Sequence, residues 1–156
     1  MSATEWDAAA WHDDTIYGLS LRCPDPDRGV WTSDLIFDID HIVEWLCTPD
    51  GSATFRVAAA TLAFHDAGSL KMDFDFGTGW GDGLSALSIA EIARQPDPAG
   101  NAGRPGLKRH RFTIRLTVPP GGEISLLASG HTLTRRGPAH LLDQQTLPAN
   151  LRPAPT

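Results

Sequence analysis

The stretch WTSDLIFDIDHIVEWL, residues 31–46, decides the fold class. Apolar side chains share one parity, at positions 35, 37, 39, 43 and 45. Carboxylates share the other parity: Asp34, Asp38, Asp40 and Glu44. Because alternate side chains of a strand point to opposite faces, the first set predicts a core face and the second an acidic face. Helical spacing would mix the two sets, so we expect one long strand, or two strands broken near His41.

Similar alternation extends outward from this stretch and predicts an all-β chain. Residues 15–22, 70–76 and 112–118 alternate clearly, residues 55–64 do so more weakly, and PPGG at 119–122 predicts a hairpin turn. Residues 84–94 are compatible with a strand or a helix. The sum predicts a mainly antiparallel single-domain β-sandwich or rolled sheet of about seven strands, with at most one short helix. We assign residues 1–10 to a leader, 11–147 to the β domain and 148–156 to a flexible Pro-rich tail.

Composition narrows the functional class. The chain has 156 residues, 15 glycines and 12 prolines, which excludes a coiled coil, a bundle of long helices and a fibrous protein. The net charge of −6 argues against nonspecific nucleic-acid binding. No apolar stretch approaches the roughly 18 residues that cross a bilayer, and residues 1–14 lack the pattern of a signal peptide. Two cysteines, Cys23 and Cys47, do not make a disulfide framework. We therefore expect an acidic cytoplasmic protein with no nucleic-acid or membrane partner.

Two His-Asp pairs are the candidate metal ligands. Imidazole and carboxylate groups suit zinc or another divalent transition metal, and two pairs would supply four ligands. The pairs lie far apart in the sequence, so only folding could bring them together. The alternative is that each Asp accepts backbone N–H groups at a strand end while the His fills a half-buried position. The pairs are His12-Asp13 and His65-Asp66.

The carboxylates on the acidic face form a candidate interaction surface. Together with Asp73 and Asp75 on a second strand they could bind calcium if the strands adjoin. Calcium sites usually come from loops, and the chain contains no DxDxDG loop. We therefore expect a solvated face that like charges keep soluble.

Four blocks of the chain resemble an uncharacterised bacterial protein family. They are WHDDTIYGLSL (11–21), SDLIFDIDHIVEWLC (33–47), FRVAAATLAFHDAGSLKM (55–72) and GEISLLASG (122–130). The family has no assigned activity, so the resemblance implies a small bacterial cytosolic protein and one domain over about 11–147, without a catalytic residue.

The sequence does not identify a substrate, and it favours a non-enzymatic binding module. Such a module would recognise an unknown protein or small ligand without a cofactor, through the acidic face in the way that small acidic immunity proteins neutralise toxins. This last comparison is an analogy of charge and size only. Two alternatives stay open, namely a metal-dependent enzyme using the two His-Asp pairs and a structural homo-oligomer.

Overall fold

The computed structural model describes residues 6–77, 84–97 and 106–154. Residues 78–83, in the glycine-rich stretch GTGWGDG (77–83), and residues 98–105, in the Pro- and Gly-rich stretch 95–107, lie outside the described residues. The described chain forms nine strands: β1 (Thr15–Arg22), β2 (Asp34–Cys47), β3 (Ala53–His65), β4 (Gly68–Asp73), β5 (Leu87–Pro96), β6 (His110–Val118), β7 (Glu123–Ala128), β8 (Gly130–Arg135) and β9 (His140–Leu142). Three 3-10 turns, at Ala8–Trp11, Pro26–Arg28 and Ala149–Leu151, complete the elements. No helix within these ranges is long and apolar enough to cross a membrane.

All nine strands belong to one antiparallel sheet, which confirms the predicted fold class. The pairing order is β4-β7-β6-β5-β1-β2-β3-β8, and β9 also pairs with β3. Strand β5 contains most of residues 84–94, which the sequence left undecided between strand and helix. Strands β7 and β8 stand near opposite ends of this order, yet only Ser129 separates them in the chain. One nearly continuous stretch therefore joins both ends, which requires the sheet to curl.

The inner face of the curled sheet carries the main core. Phe64 on β3 and Phe112 on β6 meet with ring centroids 5.0 Å apart, although their strands are not neighbours in the sheet. Phe37 on β2 packs against Phe64 at 5.8 Å. Trp6, in the predicted leader, also packs against this core, and its Nε1 donates to the Ile92 carbonyl at 2.8 Å.

A β-bulge corrects the prediction for the second half of β2. The pairing register with β3 shifts between Ile42 and Glu44. The inserted residue reverses the alternation, so Trp45, predicted to face the core, is 49% exposed on the outer face beside Phe55. Cys47, two residues further along β2, is also exposed.

A C-terminal strap, which we define as residues 140–154, covers part of the outer face of β2 and β3. Leu147 is buried there against Ile42 and Val57, and Leu151 packs against the same cluster. As far as Ala154, the segment predicted as a flexible tail thus lies against the sheet.

Candidate functional site

The first His-Asp pair lies where the N-terminal segment meets β5 and the strap. His12 Nδ1 is 3.0 Å from the Ala90 carbonyl oxygen, and its Nε2 is 3.6 Å from Asp13 Oδ1. Asp13 adopts a left-handed backbone conformation with φ 65°, and its Oδ2 accepts a 2.8 Å hydrogen bond from Gln145. This pair therefore connects three segments of the chain.

The second pair lies at the turn between β3 and β4. His65 Nε2 is 3.0 Å from Thr132 Oγ1, and its Nδ1 is 3.5 Å from Asp34 Oδ1. Asp66 also has a left-handed conformation, with φ 53°, and its Oδ2 accepts a 2.7 Å hydrogen bond from Ser129.

The structure does not bring the two pairs together as ligands of one ion. Within the described ranges, no group of three or more His, Cys, Asp or Glu side chains could hold a metal. The geometry therefore gives the metal-dependent reading no support.

A buried Asp-His contact lies next to the first pair and was missed from the sequence. Asp14 is fully buried, and its Oδ2 is 2.7 Å from His41 Nδ1. Its Oδ1 accepts a 2.8 Å bond from the Ile42 N–H, at the position of the bulge. Burial raises the pKa of Asp14, although the hydrogen bond and charge of His41 act in the opposite direction. Only the position of His41 among core-parity residues of β2 hinted at a buried imidazole.

A further histidine lies among aromatic rings on the inner face. The His131 ring is 4.7 Å from Trp6 and 6.0 Å from Trp11, edge-on to both. Burial lowers the pKa of His131, and the charges of Arg94 and His65 lower it further.

The four carboxylates that the sequence assigns to the acidic face of β2, here called the acidic row, are not the solvated surface that the sequence predicts. They are Asp34, Asp38, Asp40 and Glu44. Each of these carboxylates is paired with a basic side chain, and Asp40 is completely buried. The strap and the residue after β8 provide two of the arginines, which is why local sequence could not reveal the pairing. The ion pairs are Asp34–Arg22 at 3.5 Å, Asp38–Arg136, Asp40–Arg152 at 2.7 Å and Glu44–Arg56 at 2.9 Å.

The second carboxylate pair lies on a different part of the sheet. Strand β4, which carries Asp73, pairs with β7, whereas β2 pairs with β1 and β3. Asp73 is exposed 3.6 Å from Lys71, and Asp75 Oδ1 accepts a 2.7 Å bond from the Gly77 N–H. The strands do not adjoin, so the calcium hypothesis loses the condition on which it depended.

An outer groove of about 310 Å³ crosses β1, β2 and β3. This is near the lower end of the roughly 300–1,000 Å³ typical of ligand pockets. Gly18 keeps it open, because a Cβ there would lie 3.2 Å from the Asp38 Cβ. Its lining includes the hydroxyl residues Ser20 and Thr61 and the charged residues Asp38 and Arg136. The lining residues are Gly18, Leu19, Ser20, Ile36, Phe37, Asp38, Thr61 and Arg136.

Arg136 is the charged donor of this groove. Its side chain is only 7% exposed and forms an ion pair with Asp38. Its Nη1 donates to the carbonyls of Pro153 at 3.3 Å and Ala154 at 3.0 Å. Among the residues that the structure describes, its buried Nε has no hydrogen-bond partner. Burial lowers the pKa of the guanidinium, and the nearby charge of Arg152 adds to that effect. A buried donor left unsatisfied costs about 1–3 kcal/mol, so an acceptor that reached Nε would be favoured.

Comparison with known proteins gives no relative for this site. No protein-family model matches the chain, and no curated protein or solved structure shows a significant match.

Proposed function

We propose that the protein is a non-enzymatic binding module and that the outer groove is its ligand site. The ligand is a small polar molecule that presents a carboxylate or carbonyl oxygen to Arg136. The observation that carries this proposal is the buried guanidinium lining the groove, whose Nε has no acceptor within the described part of the chain.

The groove's chemistry suits recognition. A guanidinium paired with a carboxylate orients polar groups and keeps its charge at neutral pH. The hydroxyls of Ser20 and Thr61 add adjustable donors and acceptors, and Ile36 supplies an apolar contact. Because Asp38 already balances the charge of Arg136, the site selects by hydrogen-bond geometry rather than by net charge.

The acidic row supports a protein-binding role less well, because its carboxylates are engaged within the chain. Replacing Asp38 and Asp40 by Lys would break their ion pairs with Arg136 and Arg152. A change in the association rate of a protein partner in that variant would therefore not report on the surface charge alone. The proposed setting is the cytoplasm of a bacterium, and two free, exposed thiols are compatible with a reducing compartment.

Nuclear magnetic resonance of arginine side chains tests the proposal directly. Benzoate and benzamide serve as matched carboxylate and carbonyl probes, and the Nε–H signal of Arg136 is followed as each is added. We expect this signal and the amides of Gly18, Ser20 and Thr61 to shift together.

Two neighbouring arginines provide the matched variants. Arg136→Lys keeps the charge but removes Nε, whereas Arg135→Lys makes the same change at an exposed position. The probe response should disappear in the first variant and persist in the second. Absence of a response in the unmodified protein, or equal responses in both variants, would exclude Arg136 as the ligand contact.

A further inference from the structure

We propose that the C-terminal strap is coupled to the outer groove through Arg136, so that ligand binding and strap docking strengthen each other. This inference rests on the proposed function, because it requires the groove to accept a ligand. It adds regulation of that site by a segment that does not line the groove.

The buried Asp40 carboxylate anchors the strap at both ends of residues 147–152. Asp40 Oδ2 accepts hydrogen bonds from the Leu147 N–H at 2.7 Å and from Arg152 Nη2 at 2.7 Å, and its Oδ1 accepts from Arg152 Nε at 3.1 Å. The Arg152 guanidinium also lies 3.6 Å from the centre of the Tyr17 ring. Both ends of the segment 147–152 are thus tied to one point on β2.

Arg136 lines the groove and also contacts the strap. Its Nη1 holds the carbonyls of Pro153 and Ala154, the last residues of the strap. Its Nη2 forms the ion pair with Asp38, and Nε, for which the described residues provide no acceptor, lies on the same guanidinium. A guanidinium is planar and its donors are fixed relative to one another, so fixing one edge orients the others.

The direction of the coupling follows from the use of different donors by the ligand and the strap. The ligand would accept from Nε, whereas the strap accepts from Nη1. A ligand that accepts from Nε leaves Nη1 available to Pro153 and Ala154, so it does not compete with the strap. It also holds the guanidinium in the orientation that the strap requires. Because coupling between two binding events is reciprocal, a docked strap should in turn strengthen ligand binding.

Hydrogen exchange measures the first half of this coupling. The backbone amide of Leu147 is the reporter, because it lies in the strap and donates its hydrogen bond to the Asp40 carboxylate on β2. Saturation with benzoate or benzamide, whichever binds more tightly, should slow its exchange about fivefold or more. Without any probe, exchange should be faster in Arg136→Lys than in Arg135→Lys, because only the former removes the contacts to Pro153 and Ala154.

A titration of strap variants measures the second half. Leu151→Ala removes a partly buried contact of the strap without leaving a buried charge. Leu141→Ala makes the same truncation at a residue that is 58% exposed. Affinity for the same probe should fall about fivefold in Leu151→Ala and stay unchanged in Leu141→Ala. At saturation with the probe, the backbone amide signals of Gly18, Ser20 and Thr61 should reach the same chemical shifts in both variants.

The outcomes separate the two proposals. Equal affinity in Leu151→Ala and in the unmodified protein, with no probe effect on Leu147 exchange, overturns the coupling and leaves the ligand site intact. Faster Leu147 exchange on saturation also overturns it, since the ligand would then compete with the strap. A protein that binds neither probe loses the proposed function, and the coupling with it.

Discussion

Replacement of Arg152 by Ala tests whether the strap is a structural part of the domain. The substitution removes three hydrogen bonds of the guanidinium, two to Asp40 and one of 2.8 Å to the Leu147 carbonyl. It also removes the contact with the Tyr17 ring. The Asp40 carboxylate is completely buried, and of its hydrogen bonds with described residues only the one from the Leu147 N–H would remain.

The magnitude follows from the burial of the two partners. Breaking a buried ion pair by removing one member costs about 3–5 kcal/mol, because a buried charge is left uncompensated. The Arg152 side chain is 19% exposed, so water can partly replace it and the lower end of this range applies. We therefore expect a loss of about 3 kcal/mol in the free energy of unfolding, which for a domain of this size lowers Tm by roughly 6–12 °C.

Urea denaturation followed by tryptophan fluorescence measures this loss. Arg115→Ala is the control, because its ion pair with Glu91 is exposed and such pairs contribute about 1 kcal/mol or less. Adding Asp40→Asn to Arg152→Ala should recover part of the loss, since no buried charge then remains. Equal stability of Arg152→Ala and Arg115→Ala would refute the inferred anchoring of the strap.

Three further predictions concern other parts of the molecule. Gly122→Ala should lower the free energy of unfolding by about 1–3 kcal/mol, because the new Cβ would lie 2.9 Å from the Phe74 Cβ. Gly130→Ala should be close to neutral, because a Cβ there meets open space. Equal urea midpoints for the two variants would contradict this prediction. As the pH falls below 6.5, the unfolded chain protonates His131 before the folded one does, so stability is lost. The loss between about pH 7.5 and about pH 5.5, measured by urea denaturation, should be smaller in His131→Phe, and an unchanged loss would contradict the lowered pKa. Gly18→Leu should fill the outer groove and abolish the response to benzoate and benzamide, and a retained response would place their binding elsewhere.

The strands could be predicted from the sequence because their signal is local. Alternation along β2 marks Leu35, Phe37 and Ile39 correctly as core residues, all of them fully buried. The bulge after Ile42 is different, because it depends on how β2 pairs with β3, and alternation alone does not reveal an inserted residue. The face predicted for Trp45 was therefore wrong, although the strand itself was predicted correctly.

The candidate site could be predicted only in part, because its partners are distant in the chain. The carboxylates of the acidic row were identified, but Asp40 and Arg152 are separated by 112 positions. No local pattern distinguishes a carboxylate that faces water from one that a distant arginine covers. The same applies to Asp14 and His41, whose contact depends on β1 lying beside β2.

The near-continuity of β7 and β8 has a consequence for how strictly the sheet is aligned. Ile124 pairs with Ile114 at one end of the sheet, and Leu133 pairs with Leu62 at the other. A slip of one residue along 123–135 would have to occur in both ladders together and would turn both side chains away from the core. A misaligned register would therefore lose core packing at both ends of the sheet. Residues 123–135 thus fix the register of β6 and of β3 at the same time.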